Sequence, residues 1–192
     1  MNADNTFERE IRKEFFAFRN GIVADRLRKA RDPHAVIMGC LLADVVDITN
    51  RMRGLVGDDE RLAALAQSLW NDTASRECRL AAPMLYPAAM MTQDLALQWC
   101  QSVENVEVAD NLCHKLLRHI AAAQNVFLSL FRQESELARY TGYRLLLNLL
   151  LTGRVEPSES LKTMVQTTAA HADALCAPLL RDIMEEFDNR DD

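Results

Sequence analysis

Apolar residues recur along this chain at three- and four-residue spacing, the period of an amphipathic helix, and the alternation expected of strands is almost absent. A first helix is predicted over about 5–19, with Phe7, Ile11, Phe15 and Phe18 on one side, ending at Asn20-Gly21. A second runs over about 23–30 and stops before Asp32-Pro33. A third is predicted over about 34–53, where Val36, Ile37, Cys40, Leu41, Val45 and Ile48 share a face, until Gly54 and Gly57 break it. Shorter helices follow. Asp58 or Asp59 opens one, residues 72–75 cap the next, and Pro87 stops that. Thr92, Asn105 and Ser135 are further cap candidates, with a helix over about 122–132 before the last of them. Gly153 closes the long helix that ends at Leu151; Pro157 opens the final pair and Ala177-Pro178 punctuates it.

Taken in pairs, these helices form hairpins of roughly 35 residues, the length of α-solenoid repeats. The expectation is an all-α fold of about ten helices in antiparallel pairs, treated as a single domain over residues 1–192. It divides into N-terminal helices (1–57), central pairs (58–153) and a C-terminal pair with an acidic tail (154–192). Self-similarity between pairs is weak, so an ordinary helical bundle remains open from the pattern alone.

Helical wheels single out a polar stripe on the second helix of each pair. It runs through Arg76, Arg79, Asp110, His114, Arg118, Thr141, Arg144 and Asn148, a mixed but net-positive surface. Each member also has a structural explanation. Asp110 near a helix start suits the macrodipole and can pair with His114 one turn on. Arg144 stands out, because an unpaired charge in a Leu-rich helix is costly. Pro83 is expected to kink its helix.

Composition narrows the function. The 192 residues can bury a sizeable core, and 49% hydrophobic content argues against global disorder. The net charge of −6 is unusual for a DNA-binding protein, but it is uneven: residues 1–31 sum to +3 and residues 181–192 to −4. Arg outnumbers Lys by 18 to 4, and Arg suits phosphate recognition better. The five cysteines are odd in number and form no CxxC, so neither a disulfide framework nor a zinc site is expected, and a reducing cytoplasm fits. No secretory signal is visible, and no apolar run reaches bilayer length. Cys113-His114 is a poor nucleophile–base pair, His114 and His119 do not share a face, and no phosphate-loop or dinucleotide motif occurs. No cofactor or metal is expected.

The run LWNDTASRECRLAAPMLYP, followed by ALQWCQSVENVEVADNLCHKLL and RYTGYRLLLNLLL, resembles the AlkD-like DNA alkylation repair family over about residues 10–155. The resemblance implies a HEAT-like helical repeat that binds duplex, alkylated DNA on a concave surface. If active, such a protein is a glycosylase hydrolysing the N-glycosidic bond of alkylated purines. The family's catalytic Asp falls on Asp110. Its later Arg falls on Tyr140, with Arg139 adjacent. Phosphate contacts are then expected along Arg76, Arg79, Arg118 and Arg144, with His114, Arg139, Tyr140 and Asn148 as further DNA-binding residues. The tryptophan upstream of the catalytic Asp is replaced by Val106, and the only tryptophans, Trp70 and Trp99, lie in first-helix positions. Aromatic faces hold a cationic base by roughly 0.5–2 kcal/mol per contact, so their loss predicts weak or absent glycosylase activity. The acidic total charge favours the rival expectation, a non-enzymatic scaffold for a protein or peptide partner.

Overall fold

The computed structural model describes residues 3–169 and 174–189, so the last three residues of the acidic tail lie outside it. Among the described residues the fold is all-α, with eleven α-helices and two short 3-10 turns. The chain divides into two compact units, Met1–Met90 and Met91–Asp192.

The first unit holds α1 (Ala3–Ala17), α2 (Gly21–Lys29), α3 (Leu42–Val56), α4 (Asp59–Asn71), α5 (Arg76–Leu85) and a 3-10 turn at Ala88–Met90. The link between α4 and α5 is short, so α5 folds back on α4, and it packs on α3 as well. Ile11, Phe15, Ile48, Met52, Leu69, Leu80 and Leu85 fill the interior. Asp58 caps α4 by accepting from the Arg61 amide, as its sequence position suggested. α5 is a continuous helix through Pro83.

One predicted helix does not form in full. Residues 34–41 are not helical, and α3 begins only at Leu42. Three interactions explain this. Val36 pairs with the segment before α5, its amide donating to Ala74 O (2.8 Å) and its carbonyl accepting from Arg76 N (3.1 Å). The buried Glu77 carboxylate accepts from the amides of Met38 (3.0 Å), Gly39 (2.9 Å) and Cys40 (3.3 Å). Gly39 adopts φ +78°, and a Cβ there would lie 2.2 Å from Asn20 O, so only glycine fits. Gly54, expected to break α3, lies inside it; Gly57 ends it in the left-handed region.

The second unit holds α6 (Gln93–Gln101), α7 (Val106–Lys115), a 3-10 turn at Leu117–His119, α8 (Ala123–Leu130), α9 (Glu136–Leu151), α10 (Glu159–Ala169) and α11 (Ala177–Asp188). Thr92, Asn105 and Ser135 cap α6, α7 and α9 through side-chain oxygens, as expected. The helix capped by Asn105 is shorter than the apolar spacing up to Ile120: α7 ends at Lys115, where Leu116 leaves helical geometry. α9 packs against α7, α8 and α11, which accounts for its leucines on nearly every side.

Packing against α8 fixes the rotation of α9. A Cβ on Gly142 would come within 2.9 Å of Leu130 Cβ and 3.2 Å of Phe131 Cδ1. Next to it, Tyr143 stacks on Phe131 with ring centroids 4.7 Å apart. With that side of α9 against α8, Tyr140 and Arg144 reach Asp110 of α7.

Candidate functional site: a carboxylate held by arginine and tyrosine

Asp110 lies in the middle of α7, and Tyr140 and Arg144 lie one turn apart on α9. Arg144 grips the carboxylate with two nitrogens: Nε donates to Oδ1 at 2.7 Å and Nη2 to Oδ2 at 3.1 Å. This is the planar fork that makes Arg–carboxylate pairs strong. Tyr140 donates its hydroxyl to Oδ1 at 2.9 Å, and Arg144 Nη2 also reaches that hydroxyl at 3.4 Å. Oδ1 thus receives two donors and Oδ2 one. The Asp110 side chain remains 37% exposed and that of Arg144 29%, so the cluster faces solvent. Among the described residues, the Arg144 Nη1 group makes no hydrogen bond to the protein.

The electrostatics follow from this arrangement. Burial, opposed by the bond from Arg144 and reinforced by the bond to Asp110, pushes the Tyr140 phenol up to about 12. It is therefore a protonated donor at neutral pH. Burial works against the Arg144 charge, but the bonds to Asp110 and Tyr140 outweigh it and hold the guanidinium more firmly protonated.

A basic patch adjoins the cluster. His114 lies one turn after Asp110, and its pKa is lowered by burial and then by Arg118, Lys115, His119 and Arg144. His119 is lowered in the same way by burial, Arg118 and Arg154. Arg154, just beyond the left-handed Gly153, donates Nη1 to Arg118 O and Nη2 to Ile120 O (3.4 Å). Lys115, His119 and Arg154 were not among the residues expected from sequence. Nothing local marks Arg154, which joins the patch only because the turn at Gly153 brings the chain back to the end of α7.

Asn148 is one turn beyond Arg144. It is buried, and its amide Nδ2 has no hydrogen-bond partner among the described residues. Thr141, also on the expected stripe, is buried and bonds Leu137 O at 2.7 Å.

Three arginines expected on the DNA-binding surface point elsewhere. Arg76 and Arg79 are buried in the first unit. Arg76 Nη1 donates to Cys40 O (3.1 Å) and to Glu77 Oε1 (3.1 Å). Arg79 lies over the Trp70 ring, 3.5 Å from its centroid, and donates to Trp70 O. The apolar surroundings that a wheel takes for one wall of a groove close around both side chains. Arg139 turns back to the α8–α9 link, where Nη1 donates to Gln133 O (2.9 Å) and Glu134 O (2.7 Å).

The five cysteines are free thiols, all buried. Burial raises the thiols of Cys40, Cys78, Cys100 and Cys113 above their ordinary range, which suits packing rather than nucleophilic chemistry. Among the described residues, no helix is long and apolar enough to cross a membrane.

No curated protein and no solved structure matches the chain significantly. A family model described as DNA alkylation repair enzyme matches it over residues 11–176, a span that takes in the interior of the first unit and the whole Asp110–Tyr140–Arg144 cluster. The chain belongs to the DNA alkylation repair enzyme family.

Proposed function

We propose that this protein binds duplex DNA carrying alkylated bases through the face formed by α7 and α9, with Asp110 at the lesion. Arg144, Arg118 and His114 then contact the backbone, joined by Lys115 and Arg154. The observation that carries this reading is the solvent-facing Asp110–Arg144 fork beside a run of cations. A carboxylate suits a positively charged alkylpurine, and the surrounding cations suit phosphates. Arg76, Arg79 and Arg139 are left out of the surface, because protein groups already engage their guanidiniums.

Catalysis by this site is weak. Val106 supplies no aromatic wall to hold a cationic base beside Asp110. The experiment has two arms. Anisotropy titrations with duplex DNA across a salt series should show affinity falling linearly on a log–log scale, in proportion to the phosphates neutralised. Incubation with methylated DNA reports release of 7-methylguanine, expected to be slow or undetectable. A protein that binds no duplex at low salt would sink the reading and favour a protein or peptide partner.

A further inference from the structure

We infer that Tyr140 is the positioning residue for Asp110: it holds the carboxylate in place toward a cationic lesion by a bond that leaves its charge uncancelled. This rests on the DNA-repair reading above. Two groups orient Asp110 and they differ in kind. Arg144 brings a full positive charge with its two bonds. Tyr140 brings a neutral hydroxyl, donated to Oδ1 at 2.9 Å from a buried side chain. A cationic donor orients a carboxylate and neutralises it, whereas a neutral donor only orients it.

The two groups also differ in what else they can do. Arg144 is partly exposed and its Nη1 is unoccupied by protein, beside Lys115, Arg118 and His114. A backbone phosphate can dock on Nη1 without disturbing the fork. The phosphate then balances the guanidinium, and the Asp110 charge is again available to a cation. Tyr140 is buried and its single proton is already committed to Oδ1. With Arg144 shared with DNA and its fork intact, the phenol is the one donor on the carboxylate that brings no charge of its own.

The test compares three duplexes of one sequence: undamaged, with a neutral tetrahydrofuran abasic site, and with a cationic pyrrolidine abasic analogue. The readout is the ratio of affinity for the cationic site to that for the neutral site. Wild type should favour the cationic site. Tyr140→Phe, which retains the ring and its packing, should reduce that ratio about three- to tenfold, the worth of one hydrogen bond. Arg144→Gln should weaken all three duplexes and leave the preference for the cationic site in place. A Tyr140→Phe ratio equal to wild type, with circular dichroism unchanged, overturns the inference and leaves the DNA reading standing. Wild type that binds duplex with no cationic preference overturns the inference and the placement of Asp110 at the lesion. Wild type that binds no duplex overturns the DNA reading beneath it.

Discussion

Arg144 meets Asp110 across two helices, 34 residues apart in sequence, with both contacting nitrogens on separate carboxylate oxygens at 2.7 and 3.1 Å. Within a leucine-rich helix this is how a charge is kept: its partner comes from the neighbouring helix and its outer edge stays in water. The pair is partly solvated, so its stabilising effect is modest, within about 1 kcal/mol after screening. Arg144→Ala should therefore fold with little loss of stability. It should weaken duplex binding and lower the log–log salt slope by about one, as read by anisotropy at four or more salt concentrations.

Glu77 carries far more of the fold. Its carboxylate is fully buried, takes three consecutive backbone amides and pairs with Arg76. Glu77→Ala strips those amides of their acceptor and removes the carboxylate that pairs with the buried Arg76 guanidinium. The expected cost is about 3–5 kcal/mol, seen as a lower urea midpoint. An unchanged midpoint would show that water or a rearranged Arg76 replaces the carboxylate.

Gly142→Ala tests the close approach of α9 to α8. The added methyl falls 2.9 Å from Leu130 Cβ, so the helices must separate or Leu130 must shift. Overpacking of this kind costs about 1–3 kcal/mol, and a thermal melt should show the drop in Tm.

Asn148 is the converse case, a buried amide with an unsatisfied Nδ2. Asn148→Leu removes that unmet donor and should raise Tm slightly. As a residue expected from sequence to contact DNA, Asn148 should on replacement also weaken duplex binding. A variant that is both more stable and equally tight would assign Asn148 to the interior alone.

His114 and His119 give the pH dependence its sign. Burial and neighbouring cations lower both pKa values below the ordinary histidine value of 6.5, so both are neutral at pH 7. The unfolded chain takes up protons first, so their contribution to stability is complete above that value and is lost as pH falls through the lowered values. DNA phosphates act the other way and favour the protonated rings. Binding should thus take up protons and tighten as pH falls below 6.5, measurable by calorimetry in buffers of different ionisation enthalpy. His114→Gln should reduce the proton uptake.

Much of this was legible from sequence because it depends on local chemistry. The caps at Asp58, Thr92, Asn105 and Ser135 act within three residues, and the structure has all four. The loop at 34–41 was not legible, since it is held open by Glu77, 37 to 39 residues away. Its apolar spacing reads as helix with that partner out of view. The stripe divided along similar lines. Asp110 and Arg144 share a surface because α7 and α9 are packed neighbours. Arg76 and Arg79 have the same kind of polar arc on a wheel, but a wheel does not distinguish a groove from a buried ion pair. The clue lay in their company: Glu77 adjoins Arg76, and Trp70, the ring that receives Arg79, lies in the last turn of the preceding helix.

The crowding at Gly142 bears on how such a protein can change. The residues that set the rotation of α9 are Gly142 and Tyr143, packed on Leu130 and Phe131. The residues that face Asp110 are Tyr140 and Arg144. One helix thus separates its anchoring from its chemistry by sequence position alone. If the proposed role of this site holds, substitutions at 140 or 144 retune what it binds, while α8 keeps the new side chains aimed at the same point.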